Sequence, residues 1–305
     1  MPVAFITHPD CALHDMGTLH PESPARLRAI SDQLIASGID INLRHYEAPL
    51  ATRAQLYRVH ARSYVDHIFT DAPEQGLLML DPDTSMNPHS LNAALRAAGA
   101  GVFAVDLIMQ KQIDAAFCSV RPPGHHAERK RAMGFCIFNN IAVAVAHALE
   151  NFQLERVAIV DFDVHHGNGT ENIFQDDERV LLCSSFQHPY YPFSGADTRS
   201  SHIVNTPLAR ASNGAAFRAA VTNRWLPALG AHQPQLIFIS AGFDAHLEDE
   251  MAGLALVEDD YAWVTSEIRK LANQYCQGHI VSMLEGGYAL SALGRSVAAH
   301  INALL

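Results

Sequence analysis

Short apolar runs alternate along the chain with longer segments of helical character. The runs rich in β-branched and aromatic residues are predicted strands: Val3–Ile6, Asn42–Tyr46, Ala115–Val120, Val157–Val160, Val180–Ser185, Gln235–Ser240 and Ile280–Leu284. The segments between them are predicted helices: Arg26–Gly38, Leu56–Phe69, Leu91–Gln110, Ile141–Glu150 and Asp259–Cys276. Repeated β–α units predict an α/β fold with three α/β/α layers around a central, mostly parallel sheet.

Local signals refine this pattern at a few positions. Ser23 and Pro24 suit the cap and the first residue of a helix. The segment Asp71–Asn87 is rich in Pro, Asp and Gly, which predicts a loop at the border of a pocket. Gly99-Ala100-Gly101 neither follows a strand nor completes a nucleotide fingerprint, and is interpreted as close helix packing. With no internal repeat or linker, we expect one domain over residues 1–305.

Composition narrows the class of protein. The 305 residues, 49% of them hydrophobic, can bury a large core. A formal net charge of −11 argues against binding to nucleic acid or to an anionic membrane. The five cysteines form no CxxC pair, which favours reduced thiols in the cytosol. No secretory signal and no uninterrupted apolar run of membrane-spanning length are seen, so we expect a cytoplasmic protein.

Polar side chains follow four of the predicted strands directly. They are the pair His125 and His126, the group Asp161, Asp163 and His165, then Asp244, and finally Tyr288. Alternation along an extended chain places the three members of the second group on one side. Because the carboxyl ends of parallel strands lie along one edge of a sheet, we expect all these groups to converge.

The converging groups match a catalytic metal site. Asp163 and His165 offer carboxylate oxygen and imidazole nitrogen, a ligand set suited to zinc, and Asp244 is the natural third ligand. Two carboxylates and one histidine leave a position open for water or substrate. Iron(II) also suits these ligands. A nearby base is then needed, which His126 with its neighbour can provide, and Tyr288 can donate to a developing oxyanion. The alternative is a charged loop satisfied by local hydrogen bonds.

Several motifs together resemble one known family. In chain order they are RPPGHHAERKRAMGFCIFNN, DFDVHHGNGT, SAGFDAH and LEGGY. This set is similar to the zinc-dependent histone deacetylase family of the arginase/deacetylase superfamily, and HPESPAR resembles its class II branch and bacterial relatives. The resemblance implies the arginase/deacetylase fold. It also implies a zinc-dependent hydrolase that removes acetyl or other acyl groups from acetyl-lysine-type substrates.

The resemblance also implies a role for individual residues. Asp163, His165 and Asp244 occupy zinc-ligand positions, and Tyr288 matches the tyrosine that polarises the scissile carbonyl. His126 matches the general base that later acts as an acid. The matching partner residues are His125 and Asp161, which are hydrogen-bonded to each other in the family.

Further positions match the family's substrate tunnel and its potassium sites. The tunnel and channel positions are Gly134, Phe135, Tyr191, Gly286, Arg26 and Met251. Among them, Arg26 matches an internal channel for acetate, and Met251 lies where polyamine-selective relatives carry a glutamate. An inner structural potassium site is implied at Asp161, Asp163, His165, Ser184 and Ser185, and an outer one at Phe174, Asp177 and Val180. Ordinary strand-end hydrogen bonding is the alternative at these positions.

Departures from the family pattern leave alternatives open. Asn168 stands where class I enzymes carry an aspartate behind the second tandem histidine, and a neutral partner should make His126 less basic. The carboxylates of a second, arginase-type metal are missing, so one metal is expected. Acetylated polyamines or other small acetylated amines remain alternative substrates, and a non-catalytic acyl-lysine reader is a third hypothesis. The sequence leaves the oligomeric state open.

Overall fold

The computed structural model describes residues 3–305, in which a parallel sheet of eight strands forms the centre. These strands are β1 (Val3–Thr7), β2 (Leu43–Glu47), β5 (Ala115–Cys118), β6 (Val157–Asp161), β7 (Val180–Gln187), β8 (Ile203–Leu208), β9 (Ile237–Ala241) and β10 (Ile280–Leu284). A separate antiparallel hairpin is formed by β3 (Leu78–Asp81) and β4 (Thr84–Met86). Strands β6, β7, β9 and β10 are buried at every position, as expected for a sheet covered on both faces.

The strands lie in the order β2-β1-β5-β10-β9-β6-β7-β8, and every pairing between neighbours is parallel. The chain thus builds outward to β8 and then returns to insert β9 and β10 between β5 and β6. The strands at the centre of the sheet therefore come from distant parts of the sequence. Right-handed crossovers place the connecting helices on opposite faces when the direction of travel reverses.

Helices cover both faces of the sheet. They are α1 (Ala25–Ala36), α2 (Arg53–Leu56), α3 (Arg62–Thr70), α4 (Ser90–Met109), α5 (Asn140–Asn151), α6 (Asn168–Phe174), α7 (Gly214–Ala220), α8 (Leu226–His232), α9 (Glu258–Tyr275) and α10 (Leu290–Leu304). Helices α1 and α9 pack against α10, whereas α4 packs against α5. The predicted three-layer α/β/α architecture is confirmed.

Helix α4 is long and apolar and packs closely against its neighbours. A Cβ at Gly99 would collide with the carbonyl oxygen of Pro49, and one at Gly101 would lie 2.8 Å from Sδ of Met283. The close packing predicted for this glycine pair is therefore confirmed. By length and composition alone Ser90–Met109 could cross a membrane, but Arg96 and Asp106 interrupt its apolar run and 72% of its apolar window is buried, as in a core helix.

Tertiary contacts override several local predictions. The predicted helix Leu56–Phe69 is interrupted between α2 and α3, because the amide of Ala61 donates to Arg129 O at 2.8 Å and His60 binds Glu128 O at 2.9 Å. Asp71–Asn87 contains the hairpin β3–β4 rather than loop alone. The first helix begins at Ala25, with Pro24 at the cap position and no side-chain cap from Ser23.

Candidate active site and metal centre

Four neighbouring strands place the polar residues of the site. Strands β5, β10, β9 and β6 lie side by side, so the segments that follow them meet at one edge of the sheet. Buried, mostly apolar residues fill these strands, and the charged and catalytic candidates come at or after the strand ends. The tandem histidines, the DFDVHH segment, Asp244 and Tyr288 are therefore brought together from positions that are far apart in the sequence.

Asp163, His165 and Asp244 form a buried cluster of potential metal ligands. One side-chain atom from each lies within 4.8 Å of the others. Nδ1 of His165 is 3.0 Å from Asp163 Oδ1 and 3.2 Å from Asp244 Oδ2. Apart from this contact with the His165 ring, the buried Oδ2 of Asp244 has no hydrogen-bond partner in the described residues, which is costly unless a cation lies beside it. The donor atoms thus suit a zinc-sized cation.

The backbone is shaped to leave this cluster open. A Cβ at Gly286 would collide with Asp244 and would lie 2.6 Å from Asp163 Oδ2. The amide of Gly286 donates to the same Asp163 oxygen at 2.8 Å, and the amide of Val164 donates to Asp244 Oδ1 at 2.9 Å. Glycine is therefore required where the β10 turn passes over the two carboxylates, and backbone amides orient both of them.

His125 is held as the charged member of the tandem pair. Its Nδ1 lies 2.9 Å from Asp161 Oδ2, and its Nε2 lies 3.8 Å from Asp163 Oδ1. Burial by itself would lower the pKa of His125, but the two aspartates outweigh burial and raise the pKa well above 6.5. The hydrogen bond to Asp161 is the one that the family resemblance implies.

His126 is held neutral, with a defined tautomer. Its Nδ1 lies 2.7 Å from Oδ1 of Asn168. The amide nitrogen of Asn168 donates to Glu128 Oε1 at 2.8 Å, so the Asn168 oxygen must accept from the His126 Nδ1–H. Nε2 of His126 consequently carries the lone pair. Burial, and next the positive charge on His125, lower the pKa of His126 well below 6.5.

Tyr288 lies on the turn that follows β10. Its ring is 5.9 Å from that of Phe135, and the guanidinium of Arg26 lies 5.0 Å from its centroid. Burial raises the pKa of Tyr288 well above 10, and Arg26 opposes this effect only in part. The phenol is therefore a hydrogen-bond donor across the physiological pH range.

A cavity of about 240 Å³ connects these groups to the surface. Its lining includes the catalytic candidates His125, His126, His165 and Tyr288. The remaining walls come from residues that include predicted tunnel positions: Asp83, Pro123, Gly134, Phe135, Tyr190, Tyr191, Met251 and Gly286. The ring of Tyr191 is 5.3 Å from that of His126. The walls are mainly apolar and aromatic, which suits an unbranched aliphatic chain.

Arg26, the predicted channel residue, lies away from the cavity lining, behind Tyr288. Its guanidinium donates to the carbonyl oxygens of Gly287 and Glu285 and to Glu22 Oε1, the last at 3.0 Å. Arg121 donates to both carboxylate oxygens of Glu22. All three charged side chains are fully buried. They form an ion-pair network that supports the turn carrying Tyr288.

The positions implied for potassium differ in their surroundings. Ser184 pairs with Asp161 across β6 and β7, and its buried hydroxyl oxygen has no hydrogen-bond partner in residues 3–305. Ser185 follows it on the same strand, also buried. At the outer positions, the Phe174 carbonyl already accepts hydrogen bonds from the Asp177 amide and from His202, and Asp177 pairs with Arg179. An unsatisfied oxygen thus supports the inner site.

Three carboxylates of the site have no role in the predictions from sequence. Glu285 accepts hydrogen bonds from the amides of Gly124 and His125 and from the Ser240 hydroxyl, and burial raises its pKa to about 7. Asp83 lines the cavity and accepts from the Gly134 amide at 3.0 Å. Asp249 accepts from three backbone amides, among them that of Tyr288. Glu285 belongs to the LEGGY motif and could have been singled out there, whereas the other two lie in loops without a spacing signal.

Comparisons with known proteins show the family to which the chain is similar. The profile of the histone deacetylase domain matches residues 20–304. A probable deacetylase of Archaeoglobus fulgidus is 34% identical, over 95% of this chain and 82% of its own. The histone deacetylase-like amidohydrolase of Pseudomonas aeruginosa is 36% identical, over 88% of this chain and 73% of its own.

A solved structure also matches the fold of the chain. The crystal structure of the HDA15 HD domain superposes with a TM-score of 0.93 at 33% identity, covering 99% of this chain and 88% of that one. This match confirms the arginase/deacetylase fold expected from the sequence. A domain profile that spans most of the chain, relatives above 30% identity and a near-complete structural match lead to one conclusion: the chain belongs to the histone deacetylase family.

Proposed function

We propose that this protein is a zinc-dependent deacetylase that hydrolyses the side-chain amide of acetyl-lysine-type substrates. The observation that carries the proposal is the position of the cluster formed by Asp163, His165 and Asp244, whose His165 lines an aromatic cavity together with His126 and Tyr288. A metal site, a neutral base and a phenolic donor within one cavity are the components of amide hydrolysis by water.

Each residue of the site has a separate role in the proposed hydrolysis. When bound by Asp163, His165 and Asp244, zinc supplies Lewis acidity toward the substrate carbonyl and the nucleophilic water. His126 takes the proton from water at Nε2, because its Nδ1–H is committed to Asn168. Tyr288 donates to the carbonyl oxygen, where negative charge develops as water attacks. The protonated His126 then gives its proton to the departing amine, which prevents its return.

The cavity supports a lysine-like substrate. Phe135 and Tyr191 lie on its walls, and such aromatic faces fit the methylene chain of lysine better than a branched side chain. Met251, at the same cavity, brings no charge toward a cationic amine. Asp83 is the observation that favours the second candidate, an acetylated polyamine or other small amine, because its carboxylate lines the cavity and can attract a protonated amine.

An inner potassium ion beside Asp161 and Ser184 is a further part of the proposal. The unpartnered hydroxyl of Ser184 supports it, since a buried oxygen without a donor is stabilised by a cation. Replacing potassium in the buffer with tetramethylammonium should then lower the melting temperature, whereas rubidium, of similar size, should restore it.

A steady-state assay of metal-quantified protein tests the proposed function. The panel contains an acetyl-lysine peptide, a trifluoroacetyl-lysine peptide, N-acetylputrescine, N8-acetylspermidine and arginine, each with zinc and with iron(II). Highest kcat/KM on an acyl-lysine peptide is the expected result. Preference for the acetylated polyamines would move the assignment to the second candidate. Stoichiometric metal without turnover on any amide would contradict the proposal and favour a non-catalytic acyl-lysine reader.

A further inference from the structure

The loop after β9 contains a buried carboxylate that none of the proposed chemistry uses. Asp249 is 5% exposed and forms no ion pair with a cationic side chain in residues 3–305. A buried charge is costly unless hydrogen bonds compensate it. Its oxygens instead accept from three backbone amides, those of Met251 at 3.0 Å, Tyr288 at 2.6 Å and Ala289 at 2.9 Å.

Two of these amides belong to the turn that carries the catalytic tyrosine. The turn begins with Gly286 and Gly287, and Gly287 has a φ of +121°, a conformation that other residues rarely adopt. Glycines leave a turn free to take several conformations unless other contacts fix it. The Asp163 carboxylate holds the turn at the Gly286 amide, Arg26 holds it at the Gly287 carbonyl, and Asp249 holds the end at Tyr288.

The third amide connects this anchor to the cavity mouth. The Asp249 carboxylate accepts from the Met251 amide, and the Met251 carbonyl accepts from the hydroxyl of Tyr190. The ring of Tyr190 stacks on His165, with centroids 5.7 Å apart. Both backbone groups of Met251 are therefore fixed, one by the residue that binds the tyrosine turn and the other by a residue that contacts a metal ligand.

We infer that Asp249 is a positioning residue that fixes the backbone of Tyr288, so that the phenolic hydroxyl meets the substrate carbonyl in the correct place. This inference rests on the proposed function, because it assigns to Asp249 a role in the same hydrolysis. Charge-assisted hydrogen bonds to one carboxylate hold both the tyrosine turn and the cavity mouth. A small displacement of an oxyanion donor is expected to reduce the rate steeply.

Asp249→Asn is the informative substitution. It keeps the shape of the side chain, but only one of its two terminal atoms can accept a hydrogen bond from a backbone amide. Its oxygen can bind the Tyr288 turn or the Met251 amide, and its NH₂ group then faces donors at the other. We expect kcat to fall roughly 10- to 100-fold with KM changed by less than about threefold, and with full metal occupancy. Glu250→Gln, the same chemical change at the exposed neighbouring residue, is the matched control and should keep wild-type kinetics.

A double-mutant cycle separates positioning from general destabilisation. In a Tyr288→Phe background the hydroxyl is absent, so adding Asp249→Asn should cost less than about twofold more. Equal losses in both backgrounds would overturn the inference, as would an Asp249→Asn variant with wild-type kcat. If Asp249→Asn does not accumulate as folded protein, Asp249→Ser, which still accepts one hydrogen bond, takes its place in the cycle.

Amide hydrogen exchange tests the same anchor without any turnover. The amides of Tyr288 and Ala289 should exchange roughly 10-fold faster or more in Asp249→Asn than in Glu250→Gln, while the β10 amides stay protected. Unchanged exchange would overturn the inference even if the enzyme is active. If the wild-type protein shows no turnover, the proposed function is contradicted but the inference on Asp249 is not. The exchange result still decides whether Asp249 fixes the turn.

Discussion

The two tandem histidines differ because of what their Nδ1 atoms contact. His125 contacts an aspartate and is held charged, whereas His126 contacts the oxygen of an asparagine whose orientation Glu128 fixes. The sequence motif is sufficient to predict both histidines and the asparagine. It is insufficient to predict Glu128, because only the folded β5 loop brings that carboxylate to Asn168. The acid–base assignment therefore depends on one tertiary contact.

Removing the Tyr288 hydroxyl should impair the chemistry and leave the metal site intact. Tyr288→Phe keeps the ring contact with Phe135, so folding and zinc content are expected to match the wild type. Loss of a single oxyanion donor should lower kcat by roughly 10²- to 10³-fold. Steady-state kinetics with metal analysis measure both quantities. Tyr57→Phe, which removes a hydroxyl bonded to Asp66 at the surface, is the control, and equal activity of the two variants would remove Tyr288 from the mechanism.

Replacing Asp244 should remove the metal itself, whereas the Tyr288 variant is expected to keep it. Asp244→Ala removes one of the three grouped ligands, so the remaining pair, Asp163 and His165, should not retain zinc through gel filtration. Elemental analysis of the purified variant gives the stoichiometry. Asp66→Ala removes a surface carboxylate and serves for comparison. One zinc per chain in Asp244→Ala would refute the ligand assignment.

At the scale of elements, a strong local apolar pattern predicts most strands and several helices, although the 15-residue helix α10 is not among the predicted elements. The buried strands and the helices α4, α5 and α9 follow from their composition. Strand β8 does not, because it contains Pro207 and lies at the sheet edge, where only pairing with β7 defines it. The interruption at His60 likewise has no local signal, since the hydrogen bonds that break the helix come from the loop between β5 and α5.

Two helical glycines should respond in opposite ways to alanine. Gly99→Ala places a Cβ against the Pro49 carbonyl oxygen, and the backbone there cannot move aside, so we expect a loss of about 1–3 kcal/mol in the free energy of unfolding. At Gly230, in α8, a Cβ would meet only the Tyr275 hydroxyl at 3.7 Å. There the higher helix propensity of alanine should leave stability unchanged or raise it by up to about 1 kcal/mol. Urea denaturation measures both, and a neutral Gly99→Ala would contradict the close packing of α4.

At the scale of the whole molecule, a buried ion-pair network joins the N-terminal segment to the site. Glu22 lies between Arg26 and Arg121, and Arg26 reaches the turn after β10. Removal of Glu22 leaves Arg26 and Arg121 charged in the interior without a carboxylate partner, which is more damaging than the loss of a surface pair. The family motif predicts Arg26 but not this network, because its members lie up to 99 positions apart.

Because of this network, the free energy of unfolding depends on pH in the acidic range. Burial would raise the pKa of Glu22, but Arg121 and Arg26 outweigh it and lower the pKa from 4.5 to about 2. The ionised carboxylate therefore contributes fully above pH 4.5, about 3 kcal/mol by linkage, and this contribution is lost as the pH falls through 2. Glu22→Gln should destabilise the protein at pH 7 and flatten its stability profile in this window, measured by urea denaturation. Glu74→Gln, at an exposed position, should leave the dependence of stability on pH unchanged. If stability fell as steeply with acid in Glu22→Gln as in the wild type, Glu22 would not be the group responsible.

The strand order also determines when the site can form during folding. Strands β5 and β6 are made well before β9 and β10, which insert between them, and β5 finally pairs with β10 across 165 positions, Ala115 beside Ile280. Contacts so distant in sequence form slowly and expose unpaired strand edges until they do. Asp163 and His165 lack their partner Asp244 throughout that interval. Capture of the metal by a nascent chain should consequently be a late event, and metal occupancy should report completed folding of the centre of the sheet.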